Sequence, residues 1–149
     1  MFENVRVLCP DGFRAMSEEE VRGYFGGDLP RFGLFCPEKH IILTIGKTKK
    51  SILNYLTDSN SVLSGAERAM RGLPEYRCLK RFDSGLLGKA AKGIRFSFAA
   101  KDLDVKQYGE MRVAKVKGRF YISTCLARLE DQKESEPLFE EFCDSLELE

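Results

Sequence analysis

The sequence predicts an α+β fold in which an antiparallel sheet is sandwiched between helices in an α/β/α arrangement, and three stretches carry that expectation. The first, residues 76–127, reads as four antiparallel strands returning on themselves. Within it Lys92-Gly93-Ile94-Arg95-Phe96-Ser97-Phe98 alternates, which places Ile94, Phe96 and Phe98 on one face and Arg95 and Ser97 on the other. The second, His40 to Ile45, is nearly all apolar, as a central strand covered on both faces must be. In the third, Val62, Leu63, Ala66, Ala69, Met70 and Leu73 form one helical stripe, wide enough to seal a sheet face.

The remaining elements follow in order. Val5 to Leu8 reads as a short strand, closed by the turn Cys9-Pro10-Asp11-Gly12-Phe13. Ser17-Glu18-Glu19-Glu20 has the pattern of a capping box, with Met16 and Val21 as its hydrophobic staple. That helix should bury Val21, Tyr24 and Phe25 and stop at Gly26-Gly27. Phe32 to Cys36 is a further strand. After the strand ending at Ile45, the run Gly46 to Lys50 leads into a short helix carrying Ile52, Leu53, Tyr55 and Leu56. The next helix opens near Ser59 and ends at Gly72 and Pro74. Within the meander, Lys117-Gly118 offers the positive φ of a tight hairpin. Glu136-Pro137 signals a last helix with proline at its first position, burying Leu138, Phe139, Phe142, Cys143 and Leu146. With no repeat and no linker composition, residues 1–149 read as one domain.

Composition excludes several classes. No apolar run approaches the roughly 20 residues of a membrane-spanning helix. The start Met1-Phe2-Glu3-Asn4-Val5-Arg6 lacks the basic head and apolar core of a signal peptide, so the expected compartment is the cytoplasm. Five cysteines, Cys9, Cys36, Cys78, Cys125 and Cys143, show no CxxC spacing and read as reduced structural thiols. The net charge of +1 hides an asymmetry. Residues 77–119 hold twelve basic and four acidic side chains, and residues 128–149 hold two basic and nine acidic. The simplest reading sets the acidic last helix against the basic strands.

No catalytic, cofactor-binding or metal-ligating residue can be assigned. Gly85-Leu86-Leu87-Gly88-Lys89 invites a phosphate-loop reading, but Asp83 and Ala90 stand where that motif needs glycine and serine or threonine. It reads as a hairpin connection. His40 is the only histidine, and it could pair with a thiol only if Cys36 or Cys125 came within about 3 Å. Asp102 and Asp104 flank Leu103 without the glycine and distal glutamate of a calcium loop. Arg77, Lys80, Lys92, Arg95, Arg112, Lys115 and Arg119 lie on strands beside Phe96, Phe98, Phe120 and Tyr121. Such a sheet could stack single-stranded RNA, but the ribonucleoprotein signature is absent and the phenylalanines are expected to face helices.

Three stretches resemble the superfamily of PsbP, DcrB and the Ran-binding import factor of the Mog type. They are Pro10-Asp11-Gly12-Phe13 with the Ser17 helix, the glycine-led strand from Leu87 to Phe98, and Phe139-Glu140-Glu141-Phe142-Cys143-Asp144-Ser145-Leu146. The resemblance covers nearly the whole chain through structural motifs, and it carries over no binding residue. It implies an antiparallel sheet between helices and a binding protein rather than an enzyme, most similar to bacterial cytoplasmic adaptors that shield apolar segments of type VI secretion effectors.

The expected function is therefore binding of another protein, as an adaptor or chaperone, with a homodimer among the arrangements this allows. It requires an exposed apolar patch of roughly several hundred Å². The alternatives are a small-molecule or hydrolytic pocket near His40 and Cys36, and RNA binding by the basic sheet. Arg95, Arg112 and Lys115 are the expected partner contacts, on an exposed polar face of the meander. Their structural alternative is pairing with Glu140, Glu141 or Asp144.

Overall fold

The computed structural model describes residues 2–27, 29–100 and 105–149. Two short strands, β1 (Val5–Arg6) and β2 (Arg14–Ala15), precede helix α1 (Glu18–Phe25). Strands β3 (Arg31–Cys36) and β4 (Ile41–Lys47) form a hairpin, followed by helices α2 (Ile52–Leu56) and α3 (Ser59–Met70). The meander is β5 (Arg77–Leu86), β6 (Lys89–Ala99), β7 (Lys106–Val116) and β8 (Arg119–Arg128). A single 3₁₀ turn leads into α4 (Gln132–Ser145), and β9 (Glu147–Leu148) closes the described chain. Asp102 and Asp104 lie outside the described residues.

Seven strands form one antiparallel sheet in the order β2-β3-β4-β8-β7-β6-β5. The hairpins close where the residues allow. Leu87-Gly88 and Lys117-Gly118 both place two successive residues at positive φ, the geometry of a two-residue turn that matches strand twist. The sequence 85–89 is thus a β-hairpin connection.

Alternation sorts the core into two layers. On β4, Ile41, Leu43 and Ile45 join Phe139, Phe142 and Cys143 of α4, while Ile42 packs with Met16 and Val21 at α1. On β6 and β8, Ile94, Phe96, Phe120 and Ile122 meet Leu63 of α3. Helices α1 and α3 therefore cover one face and α4 the other. The α4 face is anchored by Phe139, whose ring stacks on Tyr108 at 5.8 Å between centroids. Burying a side chain of that size stabilises the fold by about 1.5–3 kcal/mol. Outside the main sheet, β1 pairs with β9 and buries Val5 under the same layer.

Local signals account for most boundaries. At α1 the Ser17 hydroxyl accepts from Glu20 N at 3.1 Å and the Glu20 carboxylate accepts from Ser17 N at 2.9 Å, a complete capping box. Met16 and Val21 are both buried as its staple, and Gly26 ends the helix at φ +77°. Three expectations need correction. Tyr24 is exposed, because on this one-sided helix only Val21 is buried and Phe25 partly so. The first strand pairs only over Val5–Arg6, the length β9 offers it. Helix α4 begins at Gln132, not at Pro137. The 3₁₀ turn at Leu129–Asp131 starts the winding directly after β8, and Pro137 is accommodated on an exposed side of the helix.

Candidate interaction site

Helix α2 presents its apolar residues outward. Ile52 is 82% exposed, Leu53 71%, Leu56 83% and Tyr55 55%. A five-residue helix cannot hold itself in water, so something else must fix it. Polar bonds to the β7–β8 turn supply that support. Asn54 donates through Nδ2 to the carbonyls of Lys49 (2.9 Å) and Gly118 (2.8 Å), and Ser51 N donates to Gly118 O at 3.3 Å. The Ser51 hydroxyl caps the helix by accepting from Leu53 N.

At the other end, Lys115 Nζ donates to the carbonyls of Tyr55 (3.0 Å) and Thr57 (2.7 Å), satisfying acceptors that the helix leaves open. The Tyr55 ring lies against Gly118, where a Cβ would come within 2.7 Å of Cε2. Residue 118 is therefore glycine for two reasons, its φ of +78° and this close approach. Residues 48–57 carry two exposed lysines, Lys49 and Lys50, and no acidic side chain. The result is a fixed apolar projection with a basic border.

The expected contact residues divide. Lys115 holds this projection in place. Arg95 and Arg112 were expected on an exposed polar face, but Arg112 is only 3% exposed and Arg95 is partly buried. Helix α4 covers that face. Beneath it Glu110, 1% exposed, accepts from Arg112 Nε at 3.1 Å and from Arg95 Nε at 3.2 Å. Both guanidinium groups also lie over the Phe82 ring, at 5.0 Å for Arg95 and 5.6 Å for Arg112. Arg95 reaches Glu136 at 3.7 Å and Arg112 reaches Asp144 at 3.9 Å, so the acidic helix does answer the basic strands. Arg95 and Arg112 are thus packing partners of α4 rather than an open contact surface.

The other candidates separate in space. Cys36 is buried in the α4-side layer, whereas His40 is exposed in the β3–β4 turn at φ +55°, with its ring edge-on to Phe35. The bond between them is a backbone one, from His40 N to Cys36 O at 2.8 Å, which is no catalytic pair. Cys125 and Cys143 are buried together, and Cys143 Sγ donates to Ser123 Oγ at 3.4 Å. Burial pushes the Cys125 thiol pKa well up. Hydrogen bonding from Cys125 draws the Cys143 thiol down, with the Arg112 charge acting in the same direction. Phe96 and Phe120 are buried toward α3 and Tyr121 is buried in the opposite layer, so these three rings are not available to stack bases.

Sequence reasoning missed Glu67. It stands on the apolar side of α3, 4% exposed, accepting from Tyr76 OH at 3.0 Å and paired with Arg81 and with Arg71 at 3.7 Å. Burial opposes its ionisation, but the bonds from Arg81 and Tyr76 outweigh it and hold the carboxyl below its ordinary range. Its signal was a single glutamate inside the stripe of Leu63, Ala66 and Met70.

No family model matches the chain, and no curated protein matches it at a significant level. Solved structures do. The chain is similar to LpqN, involved in cell envelope biogenesis of Mycobacterium tuberculosis, with a TM-score of 0.65 and 13% identity over 97% of this chain and 82% of that one. It is similar to the cyanobacterial PsbP of Synechocystis sp. PCC 6803, with a TM-score of 0.66 and 10% identity over 99% and 88%. It is also similar to the Ran-binding protein Mog1p of Saccharomyces cerevisiae, with a TM-score of 0.60 and 8% identity over 97% and 90%. The chain has the PsbP/Mog-like fold. Among the described residues no helix is long and apolar enough to cross a membrane.

Proposed function

We propose that the chain is a single cytoplasmic protein-binding domain of the adaptor or chaperone type, docking its partner through α2. The observation that carries this reading is the outward set Ile52, Leu53, Tyr55 and Leu56, held by polar bonds rather than by its own burial. Burying a leucine or isoleucine side chain is worth about 1.5–3 kcal/mol, so three of them supply a usable core for an interface. Pre-fixing the helix removes part of the ordering cost that a flexible loop would bear on binding. A solved structure of the same fold is described as a Ran-binding protein, which supports a protein partner without naming one here.

The test is a tagged pull-down in which the native chain is compared with the double substitution Ile52→Ser and Leu56→Ser at moderate salt. The reading predicts a protein retained by the native chain and lost from the variant, with both baits equally folded. Retention of the same species by both baits would refute docking through α2.

A further inference from the structure

Beside α2 lies a second feature, apart from the outward apolar side chains of that helix. A cleft of about 280 Å³ opens at the end of the sheet, lined among others by Asn4, Lys50, Lys117, Arg119, Tyr121 and Glu149. Its charges are unbalanced. The Glu149 carboxylate shares Arg6 with Glu147, at 3.5 and 3.6 Å, and the neighbouring Lys47 is paired with Glu3. Lys50, Lys117 and Arg119 have no carboxylate within ion-pair distance among the described residues. At the base, Tyr121 is 2% exposed, and its hydroxyl exchanges hydrogen bonds with the Asn4 amide at 3.2 and 3.4 Å. The cleft thus offers three cations at its walls and neutral donors at its floor.

We propose that this cleft binds a phosphoryl-class oxyanion, with Lys50, Lys117 and Arg119 neutralising its charge and the Tyr121 hydroxyl or Asn4 amide donating to one of its oxygens. A carboxylate offers one negative charge and two oxygens, which leaves this set under-used. A phosphoryl group carries about −1.5 to −2 charge at neutral pH and three acceptor oxygens, one for each of the three cations. The Arg119 charge is also felt across the neighbouring strand pair. Lys47, opposite Tyr121 across the strand pair, has its ammonium pKa pushed down first by burial and then by the Arg119 charge. The shared chemistry has two sources, a small soluble phosphoryl compound and a phospholipid headgroup.

The experiment titrates the full chain with inorganic phosphate and, separately, with chloride at equal ionic strength, following the backbone amides of residues 117–121 by NMR. The same chain is sedimented with phosphatidylcholine vesicles that contain or lack phosphatidic acid. Saturable shifts with phosphate alone, weakened at least tenfold by Lys117→Asn with Arg119→Gln, are the expected result. Asparagine suits the left-handed backbone at position 117, and Lys50→Gln provides a second variant away from the turn. Co-sedimentation dependent on phosphatidic acid and lost in these variants assigns the site to a headgroup. Its absence beside a positive phosphate titration assigns it to a soluble ligand. Ile52→Ser with Leu56→Ser leaves the phosphate titration unchanged, so this site stands or falls apart from docking by α2. Identical responses to phosphate and chloride, with no vesicle binding that depends on Lys117 and Arg119, would overturn the proposal.

Discussion

Glu110 and Arg112, two residues apart on β7 and therefore on one face, form a buried ion pair with Nε–Oε2 at 3.1 Å beneath α4. Removing Arg112 leaves the buried Glu110 carboxylate with Arg95 as its remaining guanidinium partner. Arg112→Ala is expected to lower stability by about 1.5–3 kcal/mol, the range for losing a hydrogen bond to a charged group, measured by urea denaturation. Replacing both with leucine and methionine of similar bulk should cost far less. A loss under 1 kcal/mol for the single variant would contradict the burial.

Gly93 faces Phe82 across β5 and β6. A Cβ at 93 would lie 2.6 Å from ring atom Cε2, with the two arginines packed on the same ring leaving it little room to retreat. Gly93→Ala should destabilise by about 1–3 kcal/mol. Adding Phe82→Leu should recover part of that loss, a coupling read from a double-mutant cycle. Strict additivity of the two changes would show that the ring does not set the requirement.

The acid limb of stability has a defined contributor at α1. Hydrogen bonds from Arg14, then from Ser17 N, lower the Glu20 carboxyl from its ordinary 4.5 to about 2. A carboxyl depressed on folding contributes stability in full above its unfolded value, and the contribution is lost as pH falls through the folded one. The window is therefore from about 4.5 down to about 2. Glu20→Gln should flatten the pH dependence of the denaturation midpoint within it, and side-chain carboxyl NMR should place the native titration near its foot. A titration close to 4.5 would remove the Arg14 bridge from the account.

The meander was legible because its side chains alternate with period two and its turns carry glycine at Gly88 and Gly118, both at positive φ. The α1 boundary was legible for a similarly local reason, the Ser17–Glu20 spacing. Pro137 misled because a proline at the first helical turn is a strong signal, while a start made by a 3₁₀ turn leaves no local mark. Arg95 and Arg112 misled differently. Polar residues on alternate positions read as an outward face, and only the placement of α4 over that face reverses the reading. Register offered one signal, since Glu110 stands directly opposite Arg95. The apolar α2 set was visible as a short helix, but its exposure depends on bonds from Asn54 and Lys115 to backbone carbonyls, which no periodicity encodes.

Site-specific photocrosslinking tests the central claim most directly. A photoreactive residue is placed at Ile52 in one chain and at the exposed Glu134 on α4 in another, and both are irradiated in lysate. Docking through α2 predicts a discrete crosslinked protein from position 52 alone, with its yield reduced when Lys115→Ala frees the end of the helix. A crosslink of equal yield from position 134, or none from position 52, would contradict it.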